Sequence, residues 1–188
     1  DHEKVQQAAT EVFCNIAAHP KVLEFLAQAD GENLRLWLAL SSRWHDENED
    51  EDEGETVRDI DPNPDPDVLN QDSAYCCTRA AIGTLAIAAA DEKVARALLK
   101  QERCLSVLCA LLASRRSELV HRALVVIDEI LGHVETCSNE EVRFLSERLA
   151  DSGIMPALGK AGLNDPEFLP LLETIGSKLK IVSLGTKS

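Results

Sequence analysis

The stretch RAAIGTLAIAAADEKVARAL, residues 79–98, decides the fold. It joins the end of one expected helix, near 72–90, to a second at 91–100. Its pattern recurs on both sides. Slid back by 72 residues, it places Gln7-Ala8-Ala9 on Arg79-Ala80-Ala81, Phe13 on Leu85, Ala17-Ala18 on Ala89-Ala90, Lys21-Val22 on Lys93-Val94 and Leu26 on Leu98. One residue less puts Leu34-Arg35-Leu36-Trp37 on Leu105-Ser106-Val107-Leu108. Slid forward by 43, Arg79-Ala80 fall on Arg122-Ala123 and Ile87 on Ile130. The offsets of 72 and 43 differ by 29, close to the length of an acidic stretch between the first two copies. The simplest account is a repeat of about 43 residues with an insertion in its first connecting loop.

The rest of the chain also reads as helix. Val5, Ala8, Ala9, Val12, Phe13 and Ile16 lie at helical spacing over 3–18. Pro20 opens a short helix that Gly31 ends, and 33–45 form another. Beyond 100, helices are expected at 103–113 and 117–134, and from Ser138, which with Glu141 spells a capping box, to about Leu149. A short helix after Pro156 and a last one from Asp165-Pro166 toward Val182 complete the set. No segment alternates with period two. The expected fold class is all-α, a right-handed solenoid of helical repeats, each burying its apolar face on its neighbours. The repeats are assigned to 1–45, 73–114 and 115–163, with a capping helix and tail at 164–188.

Charge is concentrated rather than spread. The 188 residues carry a formal −14, yet 46–72 alone hold 13 acids against Arg58. With three prolines and few apolar residues, that insert is expected to be disordered or solvated, as a spacer, a clamp for a basic partner or a metal-attracting tail. A nucleic-acid partner is not expected, because no basic footprint exists. No apolar run approaches the roughly 20 residues of a membrane span. The start, Asp1-His2-Glu3-Lys4, has neither Met nor a signal peptide, so the chain reads as a piece of a longer, cytoplasmic protein.

Chemistry-bearing patterns are sparse. Cys14, Cys76, Cys77, Cys104, Cys109 and Cys137 contain no C-x-x-C and no zinc spacing, so free cysteines packed in helices are expected and no metal or cofactor is assigned. Vicinal Cys76 and Cys77 should point to different sides of their helix. No phosphate-binding glycine loop, H-E-x-x-H or nucleophile arrangement is present, and no catalytic residue is assigned. Trp37 is expected in the core, Trp44 half exposed, and His121 in a hydrogen bond to a neighbouring repeat.

Phe13-Cys14-Asn15-Ile16-Ala17 and Gly153-Ile154-Met155-Pro156-Ala157-Leu158 resemble the long-helix centre and last-helix opening of armadillo repeats. More narrowly, the chain resembles the C-terminal part of the UCS domain of myosin chaperones. Four segments carry this: Ala8-Ala9-Thr10-Glu11 with Cys14-Asn15; Leu36-Trp37-Leu38-Ala39-Leu40; Arg79-Ala80-Ala81 with Gly83 and Leu85-Ala86; and Glu118-Leu119-Val120-His121-Arg122-Ala123. The likeness covers residues 3–135 apart from the insert; beyond it only armadillo texture remains. It implies an armadillo superhelix that binds myosin motor domains and assists their folding. A link to a heat-shock chaperone would run through a tetratricopeptide domain that these 188 residues do not include. The alternatives are an armadillo scaffold without chaperone action and, more distantly, a nucleotide-exchange cofactor of a heat-shock chaperone.

In such a superhelix the long helices line a groove. Lys4, Ala8, Glu11 and Asn15 share one helix face, and the Asn15 amide has the donor and acceptor needed to bond an extended partner. The matching positions are Cys76, Ala80, Gly83, Ile87 and Leu119, Ala123, Val126, Ile130, so the asparagine is not repeated. Arg79 and Arg122 recur at equivalent positions and are expected to bridge repeats. The candidate partner-binding residues are Lys4, Glu11, Asn15, Arg79 and Arg122.

Overall fold

A computed structural model describes residues 2–44 and 72–185. The expected insert therefore lies outside the described residues, except for Asp72. That residue belongs to the following helix: its carboxylate accepts from the N–H groups of Ala74 and Tyr75 at 2.8 and 3.0 Å.

Every element described is helical. The helices are α1 His2–Ile16, α2 Pro20–Ala27, α3 Leu34–Ser41, α4 Ser73–Ala88, α5 Glu92–Lys100, α6 Cys104–Leu112, α7 Ser117–Gly132, α8 Asn139–Asp151, α9 Ile154–Asn164 and α10 Leu169–Gly185. Local chemistry sets their ends. Asp91 caps α5 through Lys93 and Val94, and Gly153, at φ +74°, turns the chain into α9. Pro156 is tolerated because it lies in the first turn of α9, where its missing N–H has no partner to lose. The last helix starts later than its Pro166: Pro166–Phe168 form a 3-10 turn capped by Asp165, and α10 follows.

The helices pack in columns. The long helices α1, α4, α7 and α10 lie side by side in chain order. Beside them α2 packs on α5, and α3, α6 and α9 pack in series. α4 touches α1, α3 and α7, so it is wrapped on several sides. That is why both Cys76 and Cys77 are buried, although they leave the helix in different directions. Small residues (Ala80, Ala81, Gly83, Ala88) let its neighbours come close. Leu26, Leu34, Leu85, Leu98, Leu108, Leu119 and Leu124 fill the core, and fully burying such a side chain contributes about 2 kcal/mol. Trp37 joins them as expected, with the Phe13 ring tilted against it at 4.3 Å between ring centroids. All six cysteines are free, and burial pushes the Cys104 thiol up to about 12.

One connection is strained. Ala29, Asp30 and Gly31 take φ values of 50°, 53° and 80° in succession. Left-handed backbone costs about 1 kcal/mol at each of the two non-glycine residues. Gly31 is required for a second reason: a Cβ there would lie 2.9 Å from that of Ala97 on α5. The turn is held by Gln101, whose Nε2 donates to Asp30 O at 2.9 Å, and by the Lys100–Asp30 ion pair.

The capping box of α8 forms as the sequence predicts. Ser138 N and Oγ both donate to Glu141, and Arg96 from α5 pairs with the same carboxylate. Together these hold Glu141 down to about 2, the Ser138 N–H being the largest cause. Its folded value lies below its unfolded one, so the contribution is complete above the ordinary glutamate range and is lost as pH falls toward about 2. Urea unfolding should show Glu141→Gln to be less stable than the parent at neutral pH, with the gap closing as pH approaches about 2. Ser138→Ala should cost about 1 kcal/mol at neutral pH.

Candidate functional site

The long helices carry one dense group of functional side chains, built from pairs four residues apart. Tyr75 and Arg79 share a face of α4; Glu118 and Arg122 share a face of α7. Because 75 and 118, like 79 and 122, differ by 43, repeat-equivalent residues meet across the two helices. Tyr75 donates its hydroxyl proton to Glu118 Oε2 at 3.2 Å. Arg122 reaches Glu118 Oε1 with Nη2 at 2.7 Å and Arg79 O with Nη1 at 3.2 Å. The Arg79 guanidinium lies 3.9 Å from Glu118 Oε2 and 5.8 Å from the centre of the Tyr75 ring. Arg79 and Arg122 therefore do bridge the two helices, through a shared carboxylate and a main-chain carbonyl.

Two further residues extend the group. Trp44 meets Tyr75 edge-on at 5.3 Å between centroids, and Arg116 lies 5.9 Å above the Trp44 ring. Arg116 Nε and Nη1 are buried, with no hydrogen-bond partner among the described residues. Cation–π attraction offsets part of that cost. Burial, then the Glu118 charge, push the Tyr75 hydroxyl above its ordinary value, so it stays a proton donor. Two guanidinium groups, those of Arg79 and Arg122, thus converge on the Glu118 carboxylate, and Arg116 lies against Trp44 beside them.

The α1 candidates are placed differently. Lys4 and Asn15 are exposed, and neither side chain has a hydrogen bond among the described residues. Glu11 is half-buried and accepts from Gln7 Nε2 at 3.0 Å. Its charge reaches Cys76, as does that of Arg79, so Glu11 lies on the side of α1 that faces α4.

The expected groove ladder needs correction. Cys76, Ala80 and Gly83 are buried, and only Ile87, at 42% exposure, opens outward on α4. Leu119, Ala123, Val126 and Ile130 are all buried, because α7 is packed between α4 and α10. His121 is also corrected. It is exposed and stacks on Phe168; the histidine that bonds between successive helix triplets (α1–α3, α4–α6, α7–α9) is His133, whose Nε2 donates to Ala89 O at 3.2 Å. Tyr75, Arg116 and Glu118 were missed as site residues, though the 43-residue slide combined with i,i+4 spacing marks Tyr75 and Glu118. Among the described residues no three His, Cys, Asp or Glu side chains gather as a metal site. No described helix is long and apolar enough to cross a membrane.

The geometry at Gly83 supplies a test of the cluster. A Cβ at that position would lie 2.1 Å from Arg122 Nη1 and 3.2 Å from Cys14 Sγ. Glycine to alanine inside a helix ordinarily stabilises by about 1 kcal/mol. Gly83→Ala should forfeit that gain, because it displaces the Arg122 guanidinium from Arg79 O. With Arg122→Ala already in place the gain should reappear, and a double-mutant cycle by chemical unfolding would read the coupling as about 1 kcal/mol or more. Against this geometry stands one result from comparison: no family model, curated protein or solved structure matches the chain.

Proposed function

We propose that the chain forms part of an armadillo-type superhelix that recognises protein clients, as a segment of a cytoplasmic UCS-type chaperone acting on myosin motor domains. The observation that carries this reading is the coincidence of sequence repeat and bonding repeat. Arg122 to Arg79 and Cys109 to Ser152 join residues 43 apart, and His133 to Ala89 joins residues 44 apart. Helix triplets tied at a constant interval are the unit from which a superhelix grows.

The reading assigns client contact to the long-helix side, through Lys4, Glu11, Asn15, Arg79 and Arg122, joined by Arg116. The uncommitted amide of Asn15 suits the main chain of an extended segment. Arg116 Nε and Nη1 are buried without a partner among the described residues, so a client carboxylate reaches them only once neighbouring side chains move aside. Exposed Val5, Val12 and Ile16 on α1, with Ile87 on α4, support contact with apolar surface of an incompletely folded protein. A scaffold without chaperone action is the second reading. The burial of Leu119, Ala123, Val126 and Ile130 favours it, since it shortens the apolar part of any groove.

Light scattering of a heated myosin motor domain decides between them. A chaperone should suppress aggregation near one-to-one stoichiometry and leave a non-myosin client unprotected. Asn15→Ala combined with Arg116→Ala should weaken suppression several-fold without loss of helical circular dichroism. Absence of suppression by the folded chain would sink the chaperone reading and leave the scaffold.

A further inference from the structure

A cleft of about 560 Å³ opens where the 28–31 turn, the first turn of α3 and the α5–α6 junction meet. It shares no residue with the long-helix cluster. Asp30, Arg35, Leu38, Lys100, Gln101 and Arg103 line it. Its charges are unevenly committed. Lys100 is paired with Asp30 at 2.9 Å. Arg35 uses only Nε, which donates to Gln101 Oε1 at 3.3 Å. Neither the Nη groups of Arg35 nor the Arg103 guanidinium has a partner among the described residues. Glu102 adds one carboxylate to the lining, so the cleft remains cationic on balance.

We infer that this cleft is a docking site for a short acidic segment of a partner protein, with two of its carboxylates meeting Arg35 and Arg103. Guanidinium groups bind carboxylates through paired N–H donors, which fixes direction as well as charge. The volume is that of a site for several heavy-atom groups rather than for one small anion. The lining carries three cationic side chains, Arg35, Lys100 and Arg103, against two acidic ones, Asp30 and Glu102, so its charge favours an acidic occupant over a basic one. A nucleic acid would need basic surface well beyond two arginines.

The cleft is also preset. Gln101, 8% exposed, holds Arg35 with its oxygen and the Asp30 carbonyl with its nitrogen. The left-handed turn that forms one wall is locked by Gly31 against Ala97. Arg35 and the turn are thus in place before a ligand arrives, and the Arg103 side chain is left to order on binding.

Fluorescence anisotropy with labelled hexaglutamate and the full chain tests this. Saturable one-to-one binding in the micromolar range is expected, weakening with salt. Arg35→Ala with Arg103→Ala should weaken it at least tenfold while the unfolding midpoint stays unchanged. Arg143→Ala, which removes an exposed arginine of α8, should leave it unchanged. No saturable binding, or an equal loss with Arg143→Ala, would overturn the proposal. Full displacement of the peptide by inorganic phosphate would overturn it too, assigning the cleft to free anions. None of these outcomes bears on the motor-domain experiment, because the residues are separate.

Discussion

The guanidinium of Arg122 occupies the space that a side chain at position 83 would need. From there it reaches the Arg79 carbonyl and the Glu118 carboxylate together. Much of the structure depends on that vacancy. α4 is central, and its small residues bring α1 and α7 near enough for a side chain of one helix to touch the main chain of another. A hydrogen bond with a charged donor contributes about 1.5 kcal/mol net when partly exposed, and the Arg122 side chain is 31% exposed. The bond is modest by itself. Its larger effect is geometric, because it fixes which residue of α7 lies against which residue of α4.

The same solution recurs at other joints. His133 bonds Ala89 O, the C-cap residue of α4. Arg148 bonds the carbonyls of Leu99, Gln101 and Glu102, which close α5. Helix C-termini leave carbonyls without intrahelical partners. Here the following triplet satisfies them, with long cationic or imidazole side chains that reach back about one repeat. Each triplet thus completes the hydrogen bonding of the one before it. That makes the triplets interdependent in a way that apolar stacking alone would not, since a missing neighbour would leave carbonyls exposed as well as leucines.

Legibility from sequence followed the same division. Helix positions, the Ser138–Glu141 box and the core place of Trp37 were readable, because each depends on residue type at local spacing. The 43-residue interval was readable because Arg79 and Arg122 stand out from their neighbours. Their acceptor was not, since a main-chain carbonyl leaves no mark in a side-chain pattern. The groove ladder failed for a different reason. Helical periodicity says which residues share a face, but not which helix covers it. The uninterrupted apolar set Leu119, Ala123, Val126 and Ile130 was in fact the signature of a covered face. Gly31 was readable as a breaker; the left-handed Ala29 and Asp30 were not, because Gln101 and Lys100 impose that conformation from 70 residues away.

Electrostatics links these observations. Glu118 serves Tyr75, Arg79 and Arg122 at once, so one carboxylate gathers side chains of both α4 and α7. Acidic residues are plentiful in the chain, and 13 of them fall in 46–72, the last of which, Asp72, caps α4. At Arg116, two N–H groups are buried without partners among the described residues. Leaving them so costs free energy. Cation–π attraction to the Trp44 ring, itself edge-on to Tyr75, offsets part of that cost. Loss of the Glu118 charge would therefore act on all three partners together, which makes this carboxylate the electrostatic centre of the joint between α4 and α7.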